Sequence, residues 1–310
     1  MTLESHPPTD RHPVLMLLPD PSQAEALRQA IMALQPDVNP VAYSRELTPT
    51  LLAEVRAVLA WRLPHGLATR LPALRWICAT GAGVDKVLVP DLSHAVLVSR
   101  VVDPEQAIGM AQFAVLMALH QARGLATYEA QQLQGQWRRH PMVAARQRVL
   151  VLGRGEVGQA VASAMQSMGF AVNTWHTQAG PLHAALAQAD MLVNTLPLTP
   201  STDALLDARA FAAMPQGAYL INVARGGHVV EADLITAVRS GHLAGAALDV
   251  QQQEPMTSDD PLWSVPGISI TPHIAAQPAW RTVAEQFSAG WRSLQAGGAP
   301  PNLVDRTRGY

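Results

Sequence analysis

The stretch RVLVLGRGEVG, residues 148–158, decides the fold. Val149 to Leu152 is an apolar run of strand length. It breaks into Gly153-Arg154-Gly155-Glu156-Val157-Gly158 and continues as a small-residue helical segment ending near Gly169. Strand, glycine loop and helix in immediate succession predict a dinucleotide-binding βα unit. Gly153 permits the tight turn, Gly155 removes the Cβ that would block a pyrophosphate, and Gly158 lets helix and strand pack closely. Phosphates then meet the N–H groups of the helix N-terminus, where the macrodipole favours negative charge.

Composition bounds what surrounds this unit. A chain of 310 residues predicts about two domains, and 48% hydrophobic content is ample for full cores. Net charge is −2 with no basic block, so neither nucleic acid nor an anionic membrane is expected as a partner. The single cysteine, Cys78, excludes an internal disulfide framework and fits a reducing compartment, the cytoplasm. Within Trp76-Ile77-Cys78-Ala79 it reads as a core residue rather than a nucleophile. Residues 1–13, MTLESHPPTDRHP, lack a basic region followed by an apolar core and read as a polar tail, not a secretory signal. Apolar stretches are too short to span a bilayer, and no metal site is read.

Around the fingerprint, β and α segments alternate. Strands are expected at 14–18, 38–43, 57–61, 74–79 and 95–99, with helices at 22–34, 49–56 and 67–71 between them. A long helix, roughly 104–124, is apolar or small almost all round, the pattern of a helix buried between domains or subunits. Beyond the fingerprint, strands are expected at 170–175, 190–196, 218–224, 245–250 and 268–271, with helices at 231–240 and 279–294. Such alternation predicts doubly wound parallel sheets with helices on both faces, and ligands at the carboxyl ends of the strands.

Three polar residues fall just past consecutive strand ends: Arg225, Glu254 and His273. In a parallel sheet all three gather on the edge where the fingerprint places the cofactor. Arg225 carries a fixed charge and a planar donor fork suited to a keto-carboxylate. His273 exchanges a proton near neutrality, and a carboxylate beside it, Glu254, stabilises the imidazolium. Hydride from a nicotinamide and a proton from His273 would together reduce a carbonyl. Two features stay open. Gly81-Ala82-Gly83-Val84-Asp85 reads equally as a carboxylate-binding nest and as a plain glycine turn. After the strand at 170–175, Asn173-Thr174-Trp175-His176-Thr177-Gln178 lacks the acid that grips a ribose 2′-hydroxyl. This leans towards NADP(H), with Arg154 or His176 near a 2′-phosphate; NAD(H) is the alternative.

These motifs resemble the D-isomer-specific 2-hydroxyacid dehydrogenases. The resemblance spans essentially the whole chain and rests on GAGVD (81–85), GRGEVG (153–158), NVARGGHVVE (222–231), GAALDV (245–250) and TPHIAA (271–276). A further likeness, to the glyoxylate/hydroxypyruvate reductase A type, runs through AWRLPHG (60–66), QGQWR (134–138) and VDRTRGY (304–310). The resemblance implies that Arg225 binds and polarises the substrate, Glu254 orients His273, and His273 is the acid/base. It places the substrate carboxylate on the backbone of Ala82, Gly83 and Val84. Trp61 looks like part of the substrate pocket, with a core role as the alternative. Cofactor contacts are implied for Gly153 to Gly158, His176, Leu196, Pro197, Val223, Ala224, Asp249, His273 and Ala275. A homodimer through the nucleotide domains is implied too.

Two departures stand out. Gln251 occupies a position where the family commonly has an aromatic residue after Asp-Val, and Gln112-Phe113 replaces a frequent Glu-Tyr. The expectation is an α/β protein of two doubly wound domains. A Rossmann nucleotide-binding domain, 103–274, is inserted into a flavodoxin-like substrate domain made of 1–102 and 275–310. The expected activity is NAD(P)H-dependent reduction of a small 2-oxo acid such as glyoxylate or hydroxypyruvate. The alternatives are a nucleotide-sensing binding protein on the same fold, or a dehydrogenase of another anion such as formate or phosphite.

Overall fold

A computed structural model describes residues 11–141 and 147–310; the polar tail expected at the start of the chain lies largely outside them. The chain divides into two compact units. One comprises the residues up to Asp103 together with Pro278–Tyr310; the other is Pro104–Gln277.

The first unit runs β1 (His12–Leu17), α1 (Pro21–Leu34), β2 (Val38–Ala42), α2 (Pro49–Glu54), β3 (Ala57–Ala60), β4 (Trp76–Ala79) and β5 (Leu97–Ser99). Its five strands lie in the order β2-β1-β3-β4-β5 and are all parallel. Local chemistry starts the helices. Asp20 caps α1 by accepting from Ser22 N–H, Thr48 caps α2 by accepting from Leu51 N–H, and a proline follows each cap. The helix expected at 67–71 is only a 3₁₀ turn over Ala68–Arg70. Cys78 is buried in β4, and burial pushes its thiol up to about 12, so it is inert core.

The second unit runs α3 (Pro104–Ala122), α4 (Leu125–Leu133), β6 (Arg148–Leu152), α5 (Glu156–Ser167), β7 (Ala171–Trp175), α6 (Leu182–Leu186), β8 (Met191–Asn194), α7 (Ala208–Ala213), β9 (Ala218–Asn222), α8 (Glu231–Arg239), β10 (Leu243–Leu248) and β11 (Ile268–Ile270). Its order is β7-β6-β8-β9-β10-β11, again all parallel. The inner strands β6, β8, β9 and β10 are buried on both faces, as a sheet covered on both sides requires. Val149 and Val151 join Val161, Met165 and Ile221 on one face. Leu150 and Leu152 join Leu192, Leu220 and Leu248 on the other. After β7 the chain crosses back to place β8 on the far side of β6. The strand order therefore switches between β6 and β8, where this architecture binds ligands.

The final helix, α9 (Trp280–Gln295), returns to the first unit. Its buried stripe includes Val283, Phe287, Trp291 and Leu294, at helical spacing. Phe287 stacks on Trp76 at 5.0 Å, and the Trp76 indole N–H donates to Ser99 Oγ at 2.9 Å. A Cβ at Gly290 would stand 2.6 Å from the Trp76 ring, so only glycine admits this approach.

Within this chain α3 buries one face only, through residues such as Ala107, Ala111, Ala114 and Ala118, and it packs on α5. Ile108 and Leu116 stay 47% and 57% exposed. The apolar periodicity does not predict the remaining segments, α4, α6 and α7. Among the described residues no helix is long and apolar enough to cross a membrane.

Candidate active site

Strands β8 and β9 end earlier than their apolar runs imply, at Asn194 and Asn222. Both asparagines are fully buried, and buried amides need partners. Asn194 Nδ2 donates to Asn222 Oδ1 at 3.0 Å. Asn194 Oδ1 accepts from Leu196 N–H and Asn222 Oδ1 from Ala224 N–H, both at 3.2 Å. Asn222 Nδ2 donates to the Arg225 carbonyl at 3.0 Å. This amide pair takes the chain out of the sheet and sets the two following loops. His228, also fully buried, adds a second brace. Its ring nitrogens lie 3.1 Å and 3.2 Å from the carbonyls of Arg225 and Pro197. The sequence reading singles out neither the asparagines nor His228, although Asn222 and His228 lie within the motif 222–231.

Arg225 therefore leaves β9 on a backbone fixed from three directions. Its own Nη1 donates to the Ala224 carbonyl at 2.7 Å, and the side chain is half-buried. Val223 and Ala224, which precede it, are buried, as is Leu196, a member of the core; Pro197 is exposed.

The end of β10 delivers Asp249, only 1% exposed. Its carboxylate accepts from Thr271 Oγ1 at 2.6 Å, Ile274 N–H at 2.8 Å and Ala275 N–H at 2.9 Å. Its carbonyl accepts from His273 N–H at 2.8 Å. These bonds hold His273 at φ +57, a left-handed conformation rare outside glycine. In this structure Asp249 is thus the clamp on the histidine turn. Both Glu254 oxygens lie 3.1 Å from His273 Nδ1, with the pair's side chains about one-fifth exposed at 22% and 19%. An Nδ1–H held by the carboxylate puts the exchangeable proton on Nε2. The structure brings Glu254 and His273 into direct contact, and parallel pairing places Arg225 at the same edge of the sheet.

The glycine loop fits a dinucleotide. No neighbouring atom lies within 4 Å of where a Gly155 Cβ would stand, and α5 begins without a side-chain cap. A pyrophosphate laid there meets the first-turn N–H groups. Gly153 has φ +110, and its Cβ would sit 2.6 Å from Thr195 Oγ1. A Cβ at Gly158 would run into the Gly153 carbonyl. Arg154, Gly155 and Glu156 are exposed, Val157 half-buried. At the end of β7, Trp175 donates its indole N–H to the Gly180 carbonyl at 3.0 Å, and His176 Nδ1 accepts from Gln178 N–H at 3.3 Å.

In the first unit, Trp61 follows β3 and is half-buried, with the Lys86 ammonium 5.2 Å from its ring centroid. A Cβ at Gly81 would stand 3.2 Å from the same indole. Ala82 is half-buried, Gly83 exposed and Val84 buried. Among the described residues there is no cluster of side chains that could hold a metal ion.

Comparisons with known proteins give this arrangement a lineage. Residues 115–275 match the family described as D-isomer specific 2-hydroxyacid dehydrogenase, NAD binding domain. The chain is 34% identical over 273 residues to a glyoxylate/hydroxypyruvate reductase A of Serratia proteamaculans, covering 81% of this chain and 87% of that protein. Among solved structures, a D-isomer specific 2-hydroxyacid dehydrogenase from Xanthobacter autotrophicus Py2, in complex with NADPH and MES, is 36% identical with a TM-score of 0.85. That match covers 97% of this chain and 100% of the other. An NADPH-dependent glyoxylate/hydroxypyruvate reductase of Sinorhizobium meliloti, in complex with NADP and sulfate, is 29% identical with a TM-score of 0.85, covering 97% and 100%. A dinucleotide loop at the switch point, a carboxylate on a histidine and an arginine at the next strand end thus sit in a matching sequence, and the chain belongs to the D-isomer specific 2-hydroxyacid dehydrogenase family.

Proposed function

We propose that this protein reduces glyoxylate, hydroxypyruvate or a similarly small 2-oxo acid to the 2-hydroxy acid, with NADPH preferred over NADH. The observation that carries the reading is the His273–Glu254 contact at 3.1 Å on the sheet edge that also presents Arg225. The bound cofactor would supply hydride to the carbonyl carbon. His273 gives its Nε2 proton to the carbonyl oxygen, which becomes the hydroxyl. Glu254 stabilises the imidazolium while it waits and fixes the ring. Arg225 binds the keto-carboxylate through charge-assisted bonds, and the backbone of Ala82, Gly83 and Val84 is assigned to the carboxylate as well. Leu196, Pro197, Val223, Ala224 and Ala275 are assigned to the cofactor.

The preference for NADPH rests on residues 173–178, which carry no carboxylate to repel a 2′-phosphate. The crystallised relatives named above, both bound to NADPH or NADP, support the same choice. The test is a panel of 2-oxo acids with NADH and NADPH in parallel, together with formate and phosphite oxidation. Oxidation of NADPH by glyoxylate or hydroxypyruvate is the expected result. No turnover across the panel, or turnover of formate or phosphite instead, would overturn the reading.

We assign the protein to the cytoplasm, and to a homodimer formed through its nucleotide-binding unit. The support for the dimer is exposed apolar side chains in that unit, with Leu116 57%, Leu133 91% and Trp137 95% exposed. Burying them against a second copy would remove them from water. Light scattering is expected to give twice the chain mass, and Leu133→Ser with Trp137→Ser to give the monomer. A monomeric parent protein would sink the assignment.

A further inference from the structure

We propose that Gln251 is a positioning residue that holds Glu254 on His273, a role its side-chain amide performs by tying together the strand ends that carry the catalytic groups. The inference rests on the functional reading above. Gln251 is 6% exposed, unusual burial for a polar side chain just beyond a strand end. Its Nε2 donates to the Leu248 carbonyl at the end of β10, at 3.0 Å, and to the Thr271 carbonyl just past β11, at 3.4 Å. The amide thus bridges the segment that leads to Glu254 and the segment that leads to His273.

Its backbone is engaged as closely. Gln251 N–H donates to Glu254 Oε1 at 3.3 Å, one of the two oxygens on His273 Nδ1. On its other side, a Cβ at Gly226 would run into the Gln251 carbonyl. The residue after Arg225 is therefore packed directly on residue 251. Three segments, bearing Arg225, Glu254 and His273, meet at this one residue.

The physical consequence is specific. A carboxylate on a turn has several rotamers, and each one lost from the His273 contact weakens the imidazolium's partner. Anchoring Gln251 by its amide fixes the N–H that selects the rotamer of Glu254. A phenyl ring at this position would offer no such donors, so the placement depends on the hydrogen bonds of the amide. Gln252 makes a different pair of bonds, to Glu231 Oε1 at 2.8 Å through its N–H and to the Val229 carbonyl at 2.6 Å through its amide. Those lead towards α8 and not to Glu254, which makes Gln252 the natural comparator.

The test uses Gln251→Met, which keeps length but removes the donors, and Gln251→Phe, which removes them with a larger, rigid ring. Each is expected to lower kcat about tenfold while KM and NADPH affinity change by no more than about twofold. In a Glu254→Gln background the same substitutions should change kcat by no more than about twofold, because one residue acts through the other. In histidine-labelled protein, the imidazole Cε1–H resonance of His273, assigned with His273→Ala, should move in Gln251→Met as it does in Glu254→Gln and stay in place in Gln252→Met. Additive losses of kcat, an unmoved resonance, or an equal shift in Gln252→Met would overturn the proposal. So would failure of both Gln251 variants to fold, which would make the residue purely structural. The resonance needs no substrate, so a protein inactive towards 2-oxo acids would refute the functional reading while this measurement still decides the role of Gln251.

Discussion

Replacing His273 by alanine is expected to lower kcat for 2-oxo acid reduction by at least about a hundredfold, the lower bound for loss of a positioned general acid. NADPH affinity should change by no more than about twofold. The turn itself should survive. Its backbone bonds run from His273 N–H to the Asp249 and Thr271 carbonyls and from Ile274 and Ala275 N–H to the Asp249 carboxylate, and none uses the imidazole. Alanine at φ +57 costs of order 1–3 kcal/mol of strain, a cost histidine already bears there. A fall in kcat then reports lost chemistry and not a collapsed loop. Steady-state rates over a range of oxo acid concentrations, beside a melting curve, check this. Wild-type turnover in His273→Ala would remove the residue from the reaction.

Arg225→Met is expected to raise KM for the oxo acid and lower kcat together. A charge-assisted bond to a carboxylate contributes roughly 1.5–3 kcal/mol, so loss of the guanidinium should cost about tenfold to a hundredfold in kcat/KM from binding alone. Any further loss in kcat reports polarisation of the carbonyl. The loop should persist, because its brace is the Arg225 carbonyl, held by Asn222 Nδ2 and His228 Nδ1, and not the side chain. Arg225→Lys should recover only part of the loss, since an ammonium lacks the planar fork. Kinetics indistinguishable from wild type would place the substrate carboxylate elsewhere.

Much of this was legible in the residues. The apolar runs at 149–152, 190–196 and 218–224, alternating with helical segments, read as buried parallel strands, and GRGEVG after the first of them marked the cofactor loop. Elements without a strong apolar period escaped. The helix α4, LATYEAQQL, follows Gly124 at φ +63 and mixes polar with apolar residues. The short helix α7 does carry a legible signal in Asp207, whose side chain accepts from Arg209 and Ala210 N–H, yet its six residues show too little periodicity to stand out. The strand ends were overrun for a related reason. Val223, Ala224 and Leu196 continue an apolar pattern, while buried asparagine side chains divert the backbone at 194 and 222.

By itself the sequence determined the parallel α/β architecture, the dinucleotide loop and the gathering of Arg225, Glu254 and His273 on one edge. Hydrophobic period, glycine spacing and position relative to a strand end are local properties, and a parallel sheet turns them into placement. Only the tertiary structure decided which groups touch. The paired amides of Asn194 and Asn222, the carboxylate of Asp249 closing the histidine turn, and the amide of Gln251 spanning two strand ends all join residues distant along the chain. Their partners depend on how neighbouring strands align in register, and that is settled by packing both faces of the sheet at once.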